Sequence, residues 1–141
     1  MILVVDASVA LKWFLNVRDT ESDTDRALSL LTGIADGSIQ VVQPVHFIAE
    51  VTAVLAREKP NDGIDDLLDL MDIECRVVET PETYAAALTL AFRYQHHVFD
   101  TLYHAVALQT AGSTLVTADR RYFAKARREG QMMLLADWSP G

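Results

Sequence analysis

Four acidic residues stand next to apolar segments of the chain that are far apart in sequence. They are Asp6, Glu50, Asp100 and Asp119. Asp6 follows the apolar run 2–5, and Asp119 follows the run 114–118. If the fold brings these carboxylates together, the cluster is too negative to persist without a cation, and hard oxygen ligands suit Mg²⁺ or Mn²⁺. Such ions act on phosphates by clamping their oxygens and activating water. The four acids therefore predict a metal site for phosphoryl chemistry.

Each acid also has a structural interpretation. Asp6 and Asp119 stand where N-cap or turn residues are expected, and capping by itself would explain Asp100. Glu50 lies beside the predicted buried face of its helix, which favours a site role over a solvated glutamate. Because residues four apart share a helix face, His46 and Glu50 are expected to meet. The prediction therefore rests on the joint placement of the four acids.

Two hydroxyl residues and three histidines lie near these acids. Thr117 and Ser8 could each orient a water molecule at the site, although helix capping is favoured for Ser8. Adjacent histidines seldom form a metal site, and no cysteine or further histidine stands at zinc spacing to His96 and His97. His104 could hydrogen-bond Asp100, but a structural role is favoured for it.

Five of the 12 basic residues follow Asp119 within one short stretch. They are Arg120, Arg121, Lys125, Arg127 and Arg128. The stretch could contact phosphate beside a metal site or form a solvated helix face. Phosphate contact is the stronger interpretation for Arg120 and Arg121, and a solvated face is favoured for Lys125 and Arg127.

Hydrophobic periodicity predicts an alternation of strands and helices. Strands are expected at 2–6, 39–42, 76–78, 114–117 and 132–135. Helices are expected at 9–16, 24–34, 46–58, 64–73, 80–95, 100–109 and 122–128, with a loop at 17–25. The helix at 64–73 is expected to turn Leu67, Leu68 and Met71 inward. The alternation predicts an α/β fold, a three-layer α/β/α sandwich around a mostly parallel sheet, as one domain over residues 1–141. Ligands bind beyond the carboxyl ends of such strands, so Asp6 and Asp119 are expected on one rim.

Composition narrows the functional classes. The chain has 141 residues, half of them hydrophobic, and a net charge of −8. This balance argues against a general electrostatic nucleic-acid binder, but not against an enzyme that meets nucleic acid through a metal and a local basic patch.

A single cysteine, Cys75, allows no internal disulfide. The apolar run at 2–5 is too short for a signal peptide and no segment is apolar enough to span a bilayer, so a cytoplasmic protein without a membrane partner is expected.

Four segments, taken together, resemble the motifs of PIN-domain ribonucleases of the kind that act as VapC toxins in toxin–antitoxin pairs. They are 4–8, 44–51, 99–107 and 115–123. The last two, in this order and at this spacing, are the more specific. The resemblance implies Asp6, Glu50, Asp100 and Asp119 as a catalytic and metal-binding acidic site supported by Thr117, with Mg²⁺ or Mn²⁺ as cofactor.

The same resemblance implies an endoribonuclease that hydrolyses single-stranded or structured RNA. Water activated at the metal would attack the phosphorus in line, so no side-chain nucleophile is needed. It also implies a homodimer and a small cognate antitoxin, a VapB-like protein. One mild departure is Thr101, which stands where many relatives have alanine or serine.

Other functional classes are weaker. A phosphatase that forms an aspartyl-phosphate would use Asp6 as its nucleophile, but the second aspartate usual two residues later is Ser8 here. A receiver module usually pairs adjacent acids after the first strand and places a lysine on a late strand, and neither feature is present. A non-catalytic PIN-like binding module with a degraded site is the remaining alternative, although all four acids are retained.

Overall fold

A five-stranded parallel β-sheet underlies the fold. A computed structural model describes residues 1–15 and 22–141. The strands are β1 (Ile2–Val5), β2 (Gln40–Gln43), β3 (Arg76–Val77), β4 (Ser113–Thr117) and β5 (Met132–Leu134). The α-helices are α1 (Ala7–Phe14), α2 (Thr24–Ala35), α3 (Phe47–Glu58), α4 (Gly63–Met71), α5 (Pro81–Tyr94), α6 (Val98–Leu108) and α7 (Arg120–Ala126). Two short 3₁₀ helices span Arg127–Glu129 and Leu135–Asp137. The predicted α/β alternation is confirmed.

The strand order is β3-β2-β1-β4-β5, and every recorded pair is parallel. The successive residues Leu3, Val4 and Val5 of β1 are all buried, so both faces of the central strand are covered, as a three-layer fold requires. β1 pairs with β2 on one side and with β4 on the other, which makes its carboxyl end the point where the strand order reverses. Ligands bind at such a point in open parallel sheets.

Three details differ from the sequence predictions. The N-cap of α1 is Asp6 and not Ser8, because the helix begins at Ala7. The helix α6 begins at Val98, so Asp100 lies inside its first turn and does not cap it. The predicted loop at 17–25 is only partly testable, since residues 16–21 lie outside the described residues and α2 begins at Thr24.

The inward face of α4 is a further correction. Leu68 and Met71 are 58% and 62% exposed, whereas Leu70 is buried and Leu67 is half-buried. The segment carries apolar residues on two helical stripes, and only packing against the rest of the fold decides which stripe turns inward. The outer stripe therefore stays in solvent.

Within residues 1–15 and 22–141, no helix combines the length and the apolar character needed to cross a membrane.

Candidate active site

Asp6 lies at the end of β1 and is held by hydroxyl groups from both sides. Its Oδ2 accepts hydrogen bonds from the Ser8 backbone N–H at 3.3 Å, from the Ser8 hydroxyl, and from the Thr117 hydroxyl at 3.2 Å. The Ser8 Oγ accepts from the Ala118 N–H at 3.0 Å, and the Thr117 Oγ1 accepts from the Asp119 N–H at 3.0 Å. The two hydroxyls thus tie Asp6 to the chain that leaves β4. Oδ1 is the oxygen left for a ligand.

Asp119 caps α7 and also faces the site. Its Oδ1 accepts from the Tyr122 N–H at 3.0 Å, so the capping interpretation is confirmed. Its Oδ2 lies 3.7 Å from His96 Nε2. Because a carboxylate has two oxygens, capping leaves the second oxygen available for another partner.

Glu50 approaches the same rim from the first turn of α3. Its Oε1 accepts a hydrogen bond from the Tyr103 hydroxyl at 3.0 Å, and its Oε2 lies 3.7 Å from His46 Nε2. The predicted meeting of His46 and Glu50 is therefore confirmed. His46 Nε2 lies 2.7 Å from the Phe99 carbonyl oxygen, which can only accept, so Nε2 donates to it. Burial lowers the pKa of His46.

Asp100 completes the group of acids from the first turn of α6. Its Oδ2 lies 3.0 Å from His96 Nε2. Ligand atoms of His96, Asp100 and Asp119 all lie within 4.8 Å of one another, which is close enough for one cation to bridge them. Asp100 is thus the fourth acid, from a fourth element, near the rim formed by β1 and β4.

Burial and mutual repulsion oppose ionisation on the inner side of the site. Burial raises the pKa of Asp6 to about 6; the Ser8 hydrogen bond opposes this and the charge of Asp100 adds to it. Burial also raises the pKa of Glu50 to about 7, with the Tyr103 hydrogen bond opposing and the charges of Asp6 and Asp100 adding. Burial and the same acids raise the pKa of Tyr103, which keeps its hydroxyl protonated as a donor.

The comparisons with known proteins identify the family. The model of the PIN domain matches residues 3–129. The chain belongs to the PIN-domain family. Members of this family are nucleases and generally use divalent metal ions. The family resemblance predicted from the four motifs is therefore confirmed.

Solved structures share the fold of this PIN domain. The chain matches VapBC2 from Rickettsia felis bound to a DNA fragment from its promoter, with 15% identity, a TM-score of 0.60, and 95% and 97% of the two chains covered. It matches PAE2754 from Pyrobaculum aerophilum with 20% identity, a TM-score of 0.64, and 96% and 90% covered. It matches VapBC-1 from nontypeable Haemophilus influenzae with 14% identity, a TM-score of 0.63, and 97% and 100% covered. A search of curated proteins found no match.

The donor chemistry of this PIN domain fits a hard divalent cation. The potential ligand atoms that lie within 4.8 Å of one another come from the Asp100 and Asp119 carboxylates and the His96 imidazole. The Asp6 and Glu50 carboxylates lie near enough to Asp100 for its charge to raise their pKa values. Oxygen-rich sets of this kind suit Mg²⁺ or Mn²⁺ better than Zn²⁺. Burial raises the pKa values of Asp6 and Glu50, and a bound cation would offset this cost of ionising them.

The sequence patterns do not identify two residues of this site. The pairing of His96 with an adjacent histidine argues against a metal site, yet its side chain is only 8% exposed and faces Asp100 and Asp119. Tyr103 lies 53 residues from Glu50, and no local pattern predicts their hydrogen bond. His104 bonds Tyr122 and Gly130 at 2.8 Å each, so its structural role is confirmed and its suggested bond to Asp100 is wrong.

The predicted phosphate contacts lie at the start of α7. Arg120 and Arg121 are exposed and directly follow Asp119. Their position next to the acidic rim is compatible with contacts to a long anionic substrate, which would extend beyond the metal site itself.

Proposed function

We propose that this PIN domain is a Mg²⁺- or Mn²⁺-dependent endoribonuclease that acts as the toxin of a type II toxin–antitoxin pair in the cytoplasm. The observation that supports the proposal is a group of acids at the carboxyl end of β1, where the charge of Asp100 acts on Asp6 and Glu50 and ligand atoms of Asp100 and Asp119 lie within 4.8 Å of each other. Asp6, Glu50, Asp100 and Asp119 would hold the ion, with Thr117 supporting Asp6. A bound ion would supply Lewis acidity to the scissile phosphate and to water.

The protein's own groups would keep the acids in place before substrate arrives. Ser8 and Thr117 hold one oxygen of Asp6, the Tyr103 hydroxyl holds one oxygen of Glu50, and the α7 cap holds one oxygen of Asp119. Each of these three acids therefore keeps a second oxygen whose position is already set. Such preorganisation reduces the rearrangement needed in the transition state.

A cleavage assay on total RNA tests the activity. Purified protein should cut RNA with Mg²⁺ or Mn²⁺ and stop when EDTA is added. Asp100→Asn should lower the rate by about 100-fold or more, since a lost ligand removes several kcal/mol of transition-state stabilisation. Asp69→Asn, an exposed aspartate on α4, is the matched control and should cut normally.

The opposite results are equally informative. Cleavage undiminished by EDTA contradicts the metal mechanism, and full activity of Asp100→Asn removes Asp100 from the site. Release of phosphate from phosphomonoesters without RNA cleavage would favour the phosphatase alternative. A protein that binds metal but cuts nothing would favour the non-catalytic binding module.

The antitoxin is expected to dock on the outer stripe of α4. Ile64, Leu68 and Met71 are exposed there at helical spacing, and Asp65 and Asp69 flank them in solvent. An apolar stripe with acidic flanks is complementary to an amphipathic helix that carries basic residues. Two copies of this chain would bring like charges together on this face, so it suits a different protein.

The expected homodimer has another surface available. Tyr84, Leu88 and Phe92 form a second exposed stripe, at spacing four along α5. A two-fold interface brings the same patch of both copies together, so an apolar stripe without a concentration of one charge is self-complementary. The distribution of charge thus favours α5 as the surface for a second copy and α4 as the surface for the antitoxin.

A further inference from the structure

His96 lies between the ammonium group of Lys125 and two carboxylates of the site. Its Nε2 is 3.0 Å from Asp100 Oδ2 and 3.7 Å from Asp119 Oδ2, and its side chain is 8% exposed. On the other side of the ring, Nδ1 is 3.2 Å from Lys125 Nζ. The ring of Tyr122 packs against it with centroids 4.7 Å apart. The Lys125 contact on Nδ1 and the packing of Tyr122 therefore leave the imidazole little freedom to turn.

The backbone before His96 is built to direct it inward. Gln95 ends α5 in the left-handed region, with φ 51°, a conformation that residues with a side chain rarely adopt. The Gln95 carbonyl accepts a hydrogen bond from Lys125 Nζ at 3.2 Å, and the Gln95 side-chain amide donates to the Phe92 carbonyl at 2.9 Å. The turn sends His96 toward α6 and α7, whereas His97 is exposed.

The lysine determines which ring nitrogen carries the proton. An ammonium group can only donate, so Nδ1 must accept from Lys125 and the proton resides on Nε2. Nε2 is buried, and within residues 1–15 and 22–141 no acceptor is aligned well enough to bond it. A small shift of Asp100, whose Oδ2 is 3.0 Å away, would complete such a bond, so Nε2–H is an unsatisfied donor beside the acids.

We propose that His96 is a positioning residue of the metal site. Held as the Nε2–H tautomer by Lys125, it donates to Asp100 Oδ2, the nearer of the two carboxylate oxygens, and leaves the ion an all-oxygen ligand set. The proposal rests on the metal-dependent function above. The competing role is direct ligation through Nε2, which would move the ring proton to Nδ1 and point it at the ammonium of Lys125. Partners that orient metal ligands typically change metal affinity by about 10- to 100-fold when removed.

Metal affinity separates the two roles. Mg²⁺ and Mn²⁺ are titrated calorimetrically into wild type, His96→Gln, His96→Leu and the matched control His97→Gln. His96→Leu should weaken both ions about tenfold, whereas the amide of His96→Gln can still donate and should stay within about threefold of wild type. His97→Gln should match wild type. Unchanged binding by His96→Leu overturns the proposal. A loss confined largely to Mn²⁺ does so too, because an imidazole ligand favours Mn²⁺ over Mg²⁺.

The tautomer provides an independent readout that does not depend on activity. Nitrogen-15 spectra of the His96 ring, with and without Mg²⁺, should show the proton on Nε2 in both states. Lys125→Met should release the ring to a mixture of tautomers, while Lys125→Arg, which also only donates, should preserve Nε2–H. A proton on Nδ1 in the Mg²⁺-bound wild type overturns the proposal. These spectra decide the question even if His96→Leu fails to fold.

Failure of the proposed function gives a different pattern. A wild type that binds neither ion and cuts no RNA contradicts the nuclease proposal, while the apo spectra still decide whether Lys125 fixes the His96 tautomer. A wild type that binds Mg²⁺ and cuts RNA, with His96→Leu binding both ions equally well, contradicts only the role of His96.

Discussion

At the scale of single residues, structural and functional interpretations of the acids are compatible. Asp119 caps α7 with Oδ1 and turns Oδ2 toward His96. Asp6 caps α1 with Oδ2, which leaves Oδ1. A carboxylate can serve both purposes because its two oxygens point in different directions. Capping here fixes the orientation of groups that a metal site would need fixed.

Replacing Asp119 tests whether repulsion among the acids costs stability. Two carboxylates about 4.8 Å apart repel by roughly 3 kcal/mol at an effective dielectric of about 20, less after screening by solvent. Asn caps as well as Asp, so Asp119→Asn removes charge and keeps the cap. In EDTA it should melt higher than wild type, yet gain less from Mn²⁺.

Metal binding should raise the unfolding free energy of wild type by about 2.7 kcal/mol at a Mn²⁺ concentration near 100 times the dissociation constant. Thermal melts with EDTA and with Mn²⁺ measure both quantities, and Asp69→Asn on α4 controls for loss of one charge elsewhere. If Asp119→Asn is no more stable in EDTA and responds to metal as wild type does, Asp119 serves only as a cap.

The raised pKa values predict a pH dependence with a definite sign. Glu50 has an ordinary value of 4.5 and a folded value of about 7, so between these values the folded state binds more protons than the unfolded state. Metal-free stability should therefore fall as pH rises from about 4.5 to about 7. Asp6 adds the same trend between 3.8 and about 6. Denaturation in EDTA across this range should show a shallower slope for Glu50→Gln.

The affinity for metal should change with pH in the opposite direction to the metal-free stability. The ligands must be deprotonated, so affinity for Mg²⁺ should rise with pH through the same interval and level off above about 7. Titrations at pH 5 and pH 8 measure it. Affinity that is equal at the two values would remove Glu50 and Asp6 from the ligand set.

At the scale of elements, the side chain of Gln43 bonds the backbone of β1 next to the candidate site. The backbone pairing of β1 with β2 is recorded for Ile2 and Leu3. Further along, the side chain of Gln43 accepts from the Val5 N–H and donates to the Val5 carbonyl, both at 2.8 Å. Gln43 is 1% exposed. It therefore satisfies the backbone of the residue immediately before Asp6, where the two strands cannot do so.

Gln43→Leu should accordingly be costly. It leaves two buried backbone groups without partners, at about 1–3 kcal/mol each, so a loss of roughly 2–6 kcal/mol in unfolding free energy is expected. Gln40→Leu, at the exposed start of the same strand, should change stability little. Urea denaturation of the three proteins measures the difference. A Gln43→Leu protein as stable as wild type would mean that the two Val5 groups find other partners.

At the scale of the whole molecule, two exposed apolar stripes differ in their charged surroundings. The α4 stripe is flanked by aspartates, and the α5 stripe carries no such concentration. The proposed assignment predicts a double dissociation. Phe92→Glu on α5 should shift the protein to monomer and spare antitoxin binding, whereas Leu68→Glu on α4 should weaken antitoxin binding and spare the dimer. Light scattering and pull-down with the protein encoded by the adjacent reading frame measure the two effects, and the reversed pattern would exchange the two surfaces.

The amino-acid sequence by itself determined the order and type of the elements and the rim position of Asp6 and Asp119. Hydrophobic periodicity and capping depend on residues a few positions apart, so they can be read locally. The order β1, Asp6, α1 and the order β4, Asp119, α7 follow from such local patterns, and the family motifs lie at those same junctions.

Only the tertiary structure decided how the acids are held and what lies between them. Val5 and Gln43 are 38 residues apart, Asp6 and Thr117 are 111 apart, and Glu50 and Tyr103 are 53 apart. No local pattern predicts which of these side chains meet, since contacts of this kind depend on how whole elements pack. For the same reason the sequence predicts the wrong inward face of α4 and does not identify His96. The position of His96 depends on the left-handed residue Gln95 and on Lys125 from α7.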